Sequence, residues 1–130
     1  MTPTPSDGQR TPGPSGAGDA TVFFDDGVTL ILLSGEIDLA LGDDLEYAGR
    51  DAIDRAAPVR VDLSRVSFID SVGLGFLARM ASAEREHGRR LALIGAQRNV
   101  RESVHLVGLA EIVDFVEAAR ADEVQTDPEG

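Results

Sequence analysis

Asp70 and Ser71 are the residues best placed to do chemistry, because they stand where one apolar spacing gives way to another. Before them Val59, Val61 and Leu63 alternate, which predicts a short strand buried on one face. After them Val72, Phe76, Met80 and Ala83 recur at helical spacing. The connection Ser64 to Asp70 therefore delivers a hydroxyl to the mouth of a helix. Serine is a common N-cap, so one reading of Ser71 is a cap for the first-turn N–H groups. No capping box supports it, since Leu74 stands three residues on. The other reading is a phosphate acceptor, favoured by the same N–H groups and the positive end of the helix dipole.

Two enzymatic readings of the stretch fail on its own residues. A serine hydrolase needs a histidine base and a Gly-x-Ser-x-Gly elbow, and Ile69 stands where the first Gly belongs. Gly73-Leu74-Gly75-Phe76-Leu77-Ala78 formally fits Gly-x-Gly-x-x-Ala. That fingerprint belongs after a first strand, with an acid about 20 residues on, and here that region reads Gly95-Ala96-Gln97. The glycines fit better as points where the helix start approaches the sheet or a partner backbone.

Composition narrows the field further. The 130 residues allow one domain with its own core. With no cysteine and only His87 and His105, thiol chemistry, disulfides and metal or histidine catalysis are poorly supplied, and no cofactor is expected. A net charge of −11 argues against a nucleic-acid partner. No apolar run reaches the roughly 18 residues of a membrane span, and no secretory signal opens the chain. The expectation is a cytoplasmic protein with no membrane partner. The acidity suits a basic patch on a partner protein and also plain solubility.

The elements that must hold Ser71 in place follow in order. Residues 1–18 are rich in Pro, Gly, Ser and Thr and read as a disordered tail. Thr21 to Phe24 begins a strand, Asp25-Asp26-Gly27 a hairpin turn, and Val28 to Leu33 a returning strand apolar enough to be buried on both faces. Ser34 to Asp38 leads into a helix over about Leu41 to Ala56. Its stripe is Leu41, Leu45, Ala48, Ala52 and Ala56, its acidic face Asp43, Asp44, Glu46, Asp51 and Asp54. That face is either solvated or a contact for partner Arg and Lys. Asp38 itself suits an N-cap. Gly88 ends the Ser71 helix, Leu91 to Ile94 forms a strand, and Val100, Val104 and Val107 mark a helix ended by Gly108. Ile112 to Phe115 is a last strand, Glu117 to about Val124 a short helix, and residues 125–130 fray. The class is α/β: a four- or five-stranded mixed sheet with about four α-helices against it.

Phe68-Ile69-Asp70-Ser71-Val72-Gly73-Leu74-Gly75 resembles the signature of STAS domains, in particular bacterial anti-sigma factor antagonists. Gly35-Glu36-Ile37-Asp38 resembles the family's turn before the first helix, and Leu106-Val107-Gly108-Leu109 with Ile112 its segment before the last strand. The likeness covers roughly residues 21–123, within a STAS domain at 19–124. Val72 departs from a frequent Ser or Thr, leaving Ser71 the only acceptor in the signature. Ser103 replaces a larger apolar residue.

The resemblance implies a substrate and ligand, not an enzyme. Unphosphorylated, the chain binds an anti-sigma factor with serine kinase activity and releases the sigma factor. Phosphorylation on Ser71 switches binding off, and a phosphatase resets it, so transcription is regulated by partner switching under stress. The partner surface carried over is Asp38, Asp70, Ser71, Val72, Gly73 and Leu74, with Asp38 helping the kinase position the serine. The alternatives are a STAS scaffold that is never phosphorylated and a nucleotide- or ligand-sensing module.

Overall fold

Asp26 and Gly27 both take positive φ, 55° and 79°, as a type I′ turn requires, so the chain doubles back after seven residues of strand. The computed structural model describes residues 17–118. Within it β1 (Asp19–Asp25) and β2 (Val28–Ile37) form the hairpin, followed by a 3-10 turn (Leu39–Leu41) and α1 (Gly42–Arg55). Then come β3 (Val59–Ile69), α2 (Ser71–Glu86), β4 (Leu91–Ile94), α3 (Arg98–Leu106), a second 3-10 turn (Leu109–Glu111) and β5 (Val113–Val116). The predicted residues before 17 and after 118, including most of the Glu117–Val124 helix, lie outside the described residues.

Spatial strand order follows chain order, β1-β2-β3-β4-β5. β1 runs antiparallel to β2, and the remaining neighbours are parallel. The sheet is mixed and five-stranded, with three α-helices among the described residues. Parallel strands added in one direction along the sheet place α1, α2 and α3 on one face by the right-handed crossover rule. Every second strand residue is sealed beneath them: Ile31 and Leu33, Val61 and Leu63, Leu91 and Leu93. Phe76, Leu77 and Met80 of α2, Leu45 and Ala48 of α1, and Val100 and Val104 of α3 complete that core.

Several predicted elements shift. β2 continues to Ile37 and β3 to Ile69, across stretches predicted to be connections. Register shifts at Leu32/Ser34 and Gly35/Glu36 break the period-2 pattern by which a strand is read, while the ladder goes on. Val28 to Leu33 is fully buried on one face only; Val28, Leu30 and Leu32 stay half-buried. Ala56 leaves the α1 stripe because it is the left-handed cap (φ 56°). Val107 is exposed, since α3 stops at Leu106 and Gly108 (φ 83°) turns the chain so that Leu109 fills the core instead.

One charged side chain sits inside the helix layer. Glu84, 2 % exposed, accepts the Val59 N–H at 3.0 Å and a forked pair of bonds from Arg89, the closest at 2.9 Å. Its hydrogen bonds hold the Arg89 guanidinium charged above its ordinary range. Gly88 in the left-handed region makes this possible. Gly88 N–H reaches the Arg85 carbonyl and Arg89 N–H the Glu84 carbonyl, a Schellman end that folds Arg89 back over the helix. The far end of α2 is thereby tied to the start of β3.

Candidate functional site

Adjacent parallel strands end side by side, and the site is built on that end. Ile37 of β2 pairs with Ile69 of β3, and the Asp70 N–H donates to the Ile37 carbonyl at 3.0 Å. Asp38 and Asp70 are therefore the first residues beyond two neighbouring strands. Both keep extended backbone (φ −137° and −107°), and both caps work the same way. Asp38 Oδ1 accepts the Ala40 N–H at 3.1 Å, starting the 3-10 turn before α1. Asp70 Oδ1 accepts the Val72 N–H at 2.8 Å and the Gly73 N–H at 3.3 Å, starting α2.

This geometry corrects the reading of Ser71 as the cap. Asp70 holds that position, and Ser71 is the first helical residue. The charge and acceptor-only oxygens of a carboxylate suit it better than a hydroxyl to two N–H groups, both of which Oδ1 accepts. Ser71 is left exposed, and its hydroxyl makes no hydrogen bond among the described residues. The N–H groups of Val72 and Gly73 are already taken by Asp70, which leaves fewer first-turn donors, beside the helix dipole, to favour an anion there.

Gly73 is buried because the helix start presses on the sheet. A Cβ there would stand 2.5 Å from Ile69 Cγ1 and 2.8 Å from Ile37 Cγ2. At Gly75 a Cβ would meet nothing within 4 Å, so close approach explains the first glycine only. Val72 and Leu74 are half-buried against the core. Ser71, Val72, Gly75 and Arg79 form one wall of an open groove of about 510 Å³, and Gly42, Asp43, Leu45 and Glu46 of α1 the other. The groove is lined by two carboxylates and one guanidinium.

Two large apolar residues missed in the sequence flank the site. Leu39, directly after Asp38, is 76 % exposed, and Phe68, two residues before Asp70, is 48 % exposed. Both lie in stretches apolar enough to be taken for core. Only the placement of the strand ends turns them outward. Among the described residues, no helix is long and apolar enough to cross a membrane, and no cluster of His, Asp or Glu is arranged to hold a metal ion.

An α/β sheet grown in chain order, with a serine at the head of the helix after β3, defines a class. A family model described as "Mlab, STAS domain" matches residues 21–116, and the chain belongs to the STAS domain family. It is similar to the anti-sigma-F factor antagonist RsfB of Mycobacterium tuberculosis, 35 % identical over 91 residues, 68 % of this chain and 73 % of that protein. The crystal structure of an anti-sigma factor antagonist from Mycobacterium paratuberculosis matches with a TM-score of 0.67. Identity there is 26 %, over 90 % of this chain and 98 % of that one. The anti-sigma factor antagonist SpoIIAA in its unphosphorylated form shares the fold, at a TM-score of 0.66 and 20 % identity over 86 % and 97 % of the two chains.

Proposed function

We propose that this chain is a cytoplasmic anti-sigma factor antagonist whose STAS domain, residues 19–124, is switched by phosphorylation of Ser71. Unphosphorylated, it binds an anti-sigma factor that is also a serine kinase, through Asp38, Asp70, Ser71, Val72, Gly73 and Leu74. Leu39 and Phe68 supply apolar anchors beside them. The kinase brings the base, metal and nucleotide; this chain brings the hydroxyl, and a phosphatase removes the phosphate.

The observation that carries the reading is that the Ser71 hydroxyl is exposed and uncommitted while Asp70 does the capping. A phosphate there adds about −1.5 to −2 charges next to Asp70 and in the groove that holds Asp43 and Glu46. The fold has no need of the hydroxyl, so the modification leaves α2 intact. A partner packed over the same surface would have to bury that charge unpaired, at several kcal/mol. A loss of about 4 kcal/mol is roughly a thousandfold in affinity, enough to exchange partners without a large motion.

The test is phosphosite mapping of the protein from its native cells with and without stress, beside Ser71→Ala. One phosphate mapped to Ser71, changing with stress and missing in the variant, supports the switch. A protein never modified under any condition overturns it and leaves a constitutive STAS scaffold.

A further inference from the structure

The groove that holds Ser71 also holds one arginine without a partner. Arg79 lies eight residues further along α2 and is exposed, yet it lines the same depression as Ser71 and Gly75. It also lines the neighbouring depression of about 190 Å³, with Glu46, Gly49 and Met80. The two arginines of α1 each have a carboxylate. Arg50 meets Glu46 at 3.2 Å, and Arg55 meets Asp51 at 3.6 Å. Arg79 makes no ion pair or hydrogen bond among the described residues.

We infer that Arg79 is the chain's own receptor for a phosphate on Ser71, a positioning residue that reaches across Gly75 to hold it. The inference rests on the proposed modification of Ser71. Ser71, Gly75 and Arg79 stand at i, i+4 and i+8, along one ridge of α2. Gly75 puts no side chain between the other two, and the space over it is open, since a Cβ there meets nothing within 4 Å. Long side chains on a helix lean toward its N-terminus, which for Arg79 is toward Ser71. Its place in the Ser71 depression agrees. Eight residues of helix rise about 12 Å. An arginine reaches about 7 Å from its Cα and a phosphoserine about 5 Å, and the bond between them spans about 2.8 Å. The two groups therefore meet with neither side chain fully stretched.

The local charges direct the phosphate the same way. On its N-terminal side stands Asp70, which has already taken the Val72 and Gly73 N–H groups, so that side offers a like charge and fewer donors. Asp43 and Glu46 face it from α1, with Glu46 committed to Arg50. Arg79 is the one cation lining the depression. Arg85, the next arginine of α2, is fourteen residues from Ser71, about 21 Å along the axis, and out of reach. One guanidinium offsets only part of a phosphate's charge, so a partner covering the groove still has excess charge to bury.

The test uses the full chain with phosphoserine installed at position 71 by codon reassignment, so no kinase is needed. Phosphoserine gains its second negative charge at about pH 6, and a guanidinium beside it favours the doubly charged form. Followed by phosphorus NMR, Arg79→Gln should raise the titration midpoint by about half a pH unit, while Arg85→Gln leaves it unchanged. Asp43, Glu46 and Asp70 act alike in parent and variant, so the difference isolates Arg79. Arg79→Lys keeps the charge without the fork and should fall between Arg79→Gln and the parent. In about 1 M salt the difference should shrink, because the pair is exposed. The Arg79 Nε–H signal should move when Ser71 carries phosphate, and that of Arg85 should stay. Equal midpoints for the parent and Arg79→Gln, or equal shifts from Arg79→Gln and Arg85→Gln, would overturn the inference. A chain never phosphorylated in its native cells would remove the proposed switch and leave this titration as it is.

Discussion

Replacing Asp70 and Ser71 one at a time by alanine separates the helix cap from the switch. Asp70 Oδ1 accepts two first-turn N–H groups, at 2.8 and 3.3 Å. Losing such a cap costs about 0.5–2 kcal/mol, and losing a carboxylate at a helix N-terminus about 0.3–1 kcal/mol more. With two N–H groups released, Asp70→Ala should cost about 2 kcal/mol, and at about 4–8 °C per kcal/mol the Tm should fall by about 10 °C. Ser71 is exposed and its hydroxyl is bonded to nothing among the described residues, so Ser71→Ala should stay within about 0.5 kcal/mol of the parent. Thermal melts followed by circular dichroism, checked by urea titration, measure both. Ser71→Ala alone should abolish phosphate incorporation from ATP by the cognate kinase. The reasoning fails if Ser71→Ala melts as low as Asp70→Ala, or if Asp70→Ala melts with the parent.

Asp38 makes one capping bond, to a three-residue turn, so Asp38→Ala should cost less than about 1 kcal/mol of stability. It should weaken kinase binding by tenfold or more in calorimetry; a variant that only melts earlier would reduce Asp38 to a cap. Gly73→Ala forces a methyl group onto Ile69 and Ile37 and should destabilise by about 1–3 kcal/mol, whereas Gly75→Ala should be neutral or stabilising by up to about 1 kcal/mol; equal melting points would refute the packing account. Glu84→Gln loses the charge that binds Arg89 and should cost about 3 kcal/mol, at the low end for a buried pair because the Arg89 side chain keeps 28 % exposure. Denaturant unfolding would show it. The buried Thr29 Oγ1 has no hydrogen-bond partner among the described residues, so Thr29→Val should raise stability by about 1 kcal/mol in the same assay; a fall would mean that the hydroxyl is satisfied.

The order of strands and helices was legible because each helix kept a clear stripe and each short strand a clear end. Leu91 to Ile94 falls where predicted, and Gly88 ends α2 as its position implied. What stayed hidden depends on partners far along the chain. The long halves of β2 and β3 read as loops, since their register shifts cancel the alternation that marks a strand. Ser71 looked like a cap because both Asp and Ser cap well, and only the backbone angles decide which of two neighbours is outside the helix. Glu84 gave no sign of its burial, because its partners are Val59, 25 residues away, and an arginine beyond a left-handed glycine.

The agreement between strand order and chain order bears on how the molecule assembles. Each strand pairs with the one made just before it, so no pairing has to wait for a distant segment, and the loop closed at each step stays short. Asp38, Asp70 and the groove need only β2, α1, β3 and α2. These all precede β4, so the proposed recognition end is spelled out by residue 86 and the later elements shore up the sheet's other edge. A nascent chain stalled beyond that point would already hold every residue of the proposed switch.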